Sequence, residues 1–72
     1  MKRYSIATGT VTYAMKARDL LRKKGYKAKI ERKTGENIKG CGYVVIFEGD
    51  IDTAEMLLKK SGIKILDITI EN

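Results

Sequence analysis

Histidine, proline and tryptophan are missing from this 72-residue chain, and cysteine occurs once. Without histidine, a Ser/His/Asp triad, a Cys/His pair and a histidine zinc site are excluded. A single cysteine forms no internal disulfide, no CxxC redox pair and no cysteine-rich metal site, so we expect no metal and no other cofactor. Any chemistry must therefore come from one thiol, from carboxylates or from lysines.

Long apolar runs are also missing. No run approaches the roughly 20 residues of a membrane span, and the basic start MKRYSIATGT lacks the apolar core of a signal peptide. These patterns, together with the single cysteine, predict a cytoplasmic protein without membrane association. With no proline and no low-complexity linker, residues 1–72 are expected to form a single domain near the lower size limit for a hydrophobic core.

Acidic residues are scarce in the first half of the chain. Residues 1–40 hold twelve Lys or Arg against three Asp or Glu, whereas residues 41–72 hold three against six, for a net charge of +6. Such a basic half can attract an anion, nucleic acid or an acidic protein. It can equally be a solvated lysine-rich surface that keeps a small protein soluble, and we favour this reading.

The apolar pattern predicts six elements. Thr10 and Asp50 are suited to cap two helices, and Gly25 and Gly62 to end them. Between the helices, YKAKIER alternates strictly, as an edge strand does, and YVVIF is apolar on both faces, as a central strand is. The predicted order is strand 3–8, helix 11–24, strand 26–32, strand 43–47, helix 51–61 and strand 63–71.

This order is βαββαβ, the α+β, ferredoxin-like two-layer sandwich. Right-handed crossovers give an antiparallel sheet with strand order 4-1-3-2. Two helices cover one face only, so either Val44 and Ile46 or Tyr43, Val45 and Phe47 point away from them. The uncovered strip predicts a homodimer or partner surface. In the last strand the alternation slips after Ile65, which indicates a bulge or a change of face.

The same topology places the only cysteine, Cys41. Strand 3 runs antiparallel to strand 1, so its start lies beside the end of strand 1, where helix 1 begins. Cys41 is therefore expected near Thr8, Gly9 and Thr10, where free amides and the positive end of the helix dipole favour an anion. This interaction would lower the pKa of a thiol from about 8.5 towards 7 to 8.

The residues around Cys41 admit two readings. Lys39 would stabilise a thiolate electrostatically, and Gly40 and Gly42 leave room for a substrate or partner to approach the sulfur. Alternatively, Cys41 is a small buried hydrophobe and the glycines are ordinary hairpin residues. The sequence pattern leaves both readings open.

A family resemblance bears on this choice. The initial strand with Tyr4, the Thr-rich turn, the helix AMKARDLLRKKG, the Cys41–Gly42 pair and the later SGIKI resemble a family of small bacterial selenium/sulfur carrier-like proteins over nearly the whole chain. The resemblance implies that Cys41 is the chalcogen-carrying residue. It also implies a carrier rather than an enzyme, with a sulfur- or selenium-transfer enzyme as partner.

Two other classes of binding module share the fold. RNA-recognition modules stack bases on aromatic residues of the central strands, and Tyr4, Tyr43 and Phe47 lie there, but the glycine-aromatic signature of the third strand is only partly present. Nucleic acid is therefore the less favoured partner. An ACT-like regulatory module is the second class, in which the segment ATGTVT would hold a carboxylate or phosphate.

Overall fold

A computed structural model of the chain describes residues 2–33 and 42–71. The six predicted elements are present in the predicted order, and every bound lies within two residues of the expected one. They are β1 (Arg3–Thr8), α1 (Val11–Lys23), β2 (Lys27–Arg32), β3 (Tyr43–Glu48), α2 (Ile51–Lys60) and β4 (Ile65–Glu71).

The four strands form one antiparallel sheet with the order β2-β3-β1-β4. This is the predicted 4-1-3-2 arrangement read from the other edge, and it confirms the ferredoxin-like topology. In the central pair, Ala7 lies opposite Val44 and Ile6 opposite Val45. Between β1 and β4 the register shifts after Ala7, and this irregularity confirms the bulge expected from the slip in alternation.

The two helices begin and end where their capping residues stand. The Thr10 hydroxyl accepts a hydrogen bond from the Tyr13 amide at 3.1 Å, and the Asp50 carboxylate accepts one from the Thr53 amide at 3.1 Å. Gly25 and Gly62, just past the two C-termini, have φ of +92° and +80°. A residue with a Cβ is strained in that conformation, so glycine is the fitting helix stop.

The apolar residues at positions 11, 14, 17, 20 and 21 of the sequence predict one apolar stripe along α1, but the structure buries only part of it. Ala14, Ala17 and Leu21 are buried, whereas Val11 is 41% exposed. At about 100° per residue, Val11 stands one turn before Met15, which is 47% exposed, and the two lie beside the buried stripe. Including Val11 in the core stripe was therefore wrong.

The helices cover the sheet face that carries Ile6, Val45 and Phe47, all fully buried. The Phe47 ring contacts two tyrosine rings on this face. The Tyr4 ring stacks on it with centroids 5.8 Å apart, and the Tyr26 ring meets it edge-on at 5.6 Å. Such pairs contribute beyond their buried area.

The opposite face carries Ala7, Val44 and Ile46, which form a separate small cluster. This decides the alternative that the sequence left open, because Tyr43, Val45 and Phe47 face the helices. The strip is nevertheless only 5–7% exposed. It therefore offers little apolar area to another molecule, and a homodimer through this face stays a prediction.

Gly49 is expected to tolerate no side chain. A Cβ there would lie 2.8 Å from Cε1 of Tyr26, and φ is +137°. We expect Gly49→Ala to reduce the free energy of unfolding by about 2–4 kcal/mol through backbone strain and overpacking. Urea denaturation measures this, with Gly25→Ala as control because its Cβ would meet nothing within 4 Å. Equal losses in both variants would contradict the packing argument.

Asp50 is expected to make stability depend on acidic pH. Hydrogen bonds from the Thr53 hydroxyl and amide hold the pKa of Asp50 below its usual value. The stabilisation is therefore complete above the unfolded pKa of about 3.9 and is lost as the pH falls through the lower folded pKa. Asp50→Asn keeps a capping side chain but does not titrate. The melting temperature of Asp50→Asn should therefore fall less than that of the parent as the pH drops below about 4. Parallel plots of melting temperature against pH for the two proteins would contradict this.

Candidate functional site

The turn between β1 and α1 is held by two threonine side chains. Thr8 is fully buried, and its hydroxyl donates to the carbonyl oxygen of Thr10 at 2.9 Å. The same carbonyl accepts the amide of Ala14 at 3.1 Å, while the Thr10 hydroxyl caps Tyr13. The first turn of α1 is thus fixed relative to the end of β1. Gly9 between them is exposed, with open space where a Cβ would stand.

The N-termini of the two helices differ in charge. Asp50 caps α2 and Asp52 lies in its first turn, so two carboxylates offset the positive end of that helix dipole. The cap of α1 is the neutral Thr10, and its first turn has no acidic residue. An anion at the N-terminus of α1 therefore meets a helix dipole that no carboxylate of the cap or first turn offsets, whereas one at α2 meets negative charge.

The start of β3 reaches the same end of the sheet. Ala7 lies opposite Val44, so the chain two residues earlier, at Gly42, approaches the level of Gly9. The Gly42 carbonyl accepts the amide of Lys33 at 2.8 Å, which joins the end of β2 to the start of β3. Gly42 has φ of +86°, a conformation in which an L side chain is strained.

Four of the predicted site residues lie at the same end of the sheet. Thr8, Gly9, Thr10 and Gly42 lie at the end of the sheet where β1 meets α1 and β3 begins, as the topology predicted. Cys41, Gly40 and Lys39 lie outside the described residues, so their predicted roles stay predictions. Gly42, which follows Cys41 in the sequence, is the described residue closest to it along the chain.

The sequence interpretation missed the exposed side chains on the first two turns of α1. Val11, Tyr13 and Met15 are each 40–47% exposed, and the Lys16 ammonium lies 5.7 Å from the centre of the Tyr13 ring. The helical period was the available signal, because residues 11 and 15 fall beside the stripe of residues 14, 17 and 21. Next to the turn, α1 therefore presents apolar and basic groups.

The aromatic residues that favoured RNA binding are placed differently. Tyr4, Tyr43 and Phe47 all pack on the helix-covered face, and Phe47 is fully buried. Base stacking needs aromatic rings on the open face, where this sheet has Ala7, Val44 and Ile46. The feature that motivated the RNA-binding alternative is therefore part of the core.

Two further observations concern the described residues. Among residues 2–33 and 42–71, no cluster of three or more Cys, Asp or Glu side chains is placed to hold a metal ion. Neither α1 nor α2 has the length and apolar character of a membrane-crossing helix.

Gly42 and Gly9 should differ in their tolerance of alanine. At Gly42 the φ of +86° should make Gly42→Ala cost about 1–2 kcal/mol of unfolding free energy. Gly9→Ala, at an exposed position with open space, should change stability by less than about 0.5 kcal/mol. Chemical denaturation compares the two, and a neutral Gly42→Ala would contradict the assignment of backbone strain.

Comparison with known proteins identifies one family. The family model described as "Putative Se/S carrier protein-like" matches residues 3–70, which include the whole fold except the last residue of β4. Searches of curated proteins and of solved structures gave no significant match. By this match along nearly its whole length, the chain belongs to the Se/S carrier protein-like family.

Proposed function

We propose that this protein carries sulfur or selenium on the thiol of Cys41 and delivers it to a partner enzyme. The family match over residues 3–70 carries this proposal. The sheet register supports it, because the chain enters β3 at Gly42, beside the turn that begins α1. Our proposal places the thiol near that turn, where the helix dipole stabilises a thiolate.

The proposed transfer is an exchange at sulfur. The Cys41 thiolate attacks the terminal sulfur of a donor persulfide, R–S–SH. A new S–S bond forms to Cys41, the donor S–S bond breaks, and R–S⁻ leaves with the electron pair. The products are Cys41–S–SH and R–S⁻, with no external oxidant or reductant, and a donor R–S–SeH gives the selenosulfide. In our proposal the protein is loaded and unloaded by partner enzymes and is not itself an enzyme.

The chain has features that such a carrier needs. One accessible nucleophilic sulfur suffices, so the lack of histidine and of a second cysteine is no obstacle. The exposed apolar and basic side chains of Val11, Tyr13, Met15 and Lys16 offer a partner enzyme contact area beside the proposed position of the thiol. An acidic partner surface would complement the basic first half of the chain.

Loading of Cys41 tests the proposal directly. After incubation with a cysteine desulfurase and cysteine, intact-mass spectrometry should show one added sulfur on the parent protein and none on Cys41→Ser. The added mass should disappear with a mild reductant, since a persulfide is reducible. A parent protein that stays unmodified while the desulfurase turns over would contradict the proposed chemistry.

The electrostatic part of the proposal has a separate test. Thr10→Asp keeps a good cap but adds a carboxylate at the N-terminus of α1, as α2 already has. If the dipole supports the thiolate, this change should raise the pKa of Cys41 by about 0.2–0.7 units. Thr10→Asn, also a good cap, should leave it unchanged. The pH dependence of alkylation measures both, and equal pKa values in the two variants would place the thiol away from this helix end.

A further inference from the structure

The two edges of the sheet are protected to different degrees. Edge strand β2 carries Lys27 and Lys29 on the open face, and the Lys29 ammonium pairs with the Glu31 carboxylate at 3.0 Å. Charged side chains, lysine above all, are the usual means by which an edge strand avoids pairing with another chain. This edge is therefore blocked by its own sequence.

Edge strand β4 is protected less, by the charge of Asp67 and by the register shift beside Leu66. Its sequence, ILDITIE, contains no lysine, arginine or proline, and four of its seven residues are Ile or Leu. Leu66 is 37% exposed and Ile70 is 53% exposed. In the part of the chain that the structure describes, no strand pairs with the outer side of β4. A β-branched, largely apolar edge of this length favours addition of another strand.

Charge positions along β4 restrict how two copies could pair. In a symmetric antiparallel pair of β4 strands, a twofold axis perpendicular to the sheet relates the two copies. One residue of β4 then lies opposite the same residue of the second copy, and we name the axis by that residue. An axis at Asp67 would place two aspartates opposite each other, and one at Thr69 would leave Leu66 beyond the end of the second copy's β4. Like charges directly opposite each other are destabilising.

An axis at Ile68 avoids these conflicts. Ile68 then faces Ile68 of the second copy, and Asp67 faces the neutral Thr69. Leu66 faces Ile70 twice, once on each side of the axis, so both exposed apolar residues of β4 gain an apolar partner. Apolar pairs of this kind stabilise antiparallel strands.

From this self-complementarity we infer that β4 pairs antiparallel with β4 of a second copy about an axis at Ile68, which joins two four-stranded sheets into one of eight strands. The pairing satisfies the outer backbone groups of β4, which the monomer leaves to solvent. It uses the sheet edge and not the open face, whose apolar residues are already buried, with only 5–7% of their surface exposed. It does not depend on the chemistry proposed for Cys41.

Sedimentation equilibrium of the full chain tests this inference, with reductant present so that no disulfide joins two copies through Cys41. The parent protein should dimerise reversibly. Ile70→Lys places a charge opposite Leu66 twice in each dimer and should raise the dissociation constant tenfold or more. Because Ile70 is more than half exposed, this variant should remain folded.

Met56→Lys is the matched control, since Met56 is 60% exposed but lies on α2. It should leave the dissociation constant unchanged. A parent protein that stays monomeric up to millimolar concentration would overturn the inference. So would a dimer that Ile70→Lys does not weaken, or one that both lysine variants weaken equally.

Disulfide trapping tests the register. Asp67→Cys and Thr69→Cys, each combined with Cys41→Ser, substitute exposed positions that face each other across the proposed axis. Opposite residues of an antiparallel pair are about 4.5–5.5 Å apart at Cα, within reach of a disulfide. When the two variants are mixed and oxidised, the disulfide that joins one copy of each variant should form in preference to a disulfide between two copies of the same variant. Predominantly symmetric disulfides would rule out the axis at Ile68.

Discussion

The antiparallel pairing of β1 with β3 is the constraint on which the rest of the structure depends. Ile6 and Val45 lie opposite each other in this pair, and both are fully buried. A shift of β3 by one residue relative to β1 would move Val45 and Phe47 from the core to the open face, so burial fixes the register. The same register brings the start of β3 to the turn before α1, so the core also determines where the candidate site lies.

The two halves of the chain are similar in structure but differ where function is proposed. Both contain a strand followed by a capped helix, yet α1 begins with Thr10 and α2 with Asp50. The Asp50 carboxylate accepts hydrogen bonds from Thr53 that lower its pKa below the usual acidic value, so this cap is charged at neutral pH. Only α1 of the two therefore has a cap and first turn without a carboxylate, and its end of the sheet is where we propose that a thiolate is stabilised.

The outer surfaces of the sheet also have different roles. The face away from the helices has its apolar residues covered, so it offers little apolar area for association. The β2 edge is charged, whereas the β4 edge is apolar and self-complementary. Association through β4 would leave the turn before α1 outside the paired strands, since that turn lies beyond Thr8. Carrier chemistry and dimer formation would then use separate parts of one small domain.

Local residue patterns determined the elements, because capping side chains, glycine stops and apolar periodicity act within a few residues. Thr10, Asp50, Gly25 and Gly62 marked the helix ends, and βαββαβ order with right-handed crossovers gave the strand order. Only the tertiary structure decided that Val44 and Ile46 face away from the helices, that Phe47 is a core residue with Tyr4 packed against it, and that Val11 is exposed. Both faces of β3 are apolar, so the face that the helices cover depended on how the helices pack on the sheet. Val11 borders the buried stripe of α1, so its exposure depended on the same packing.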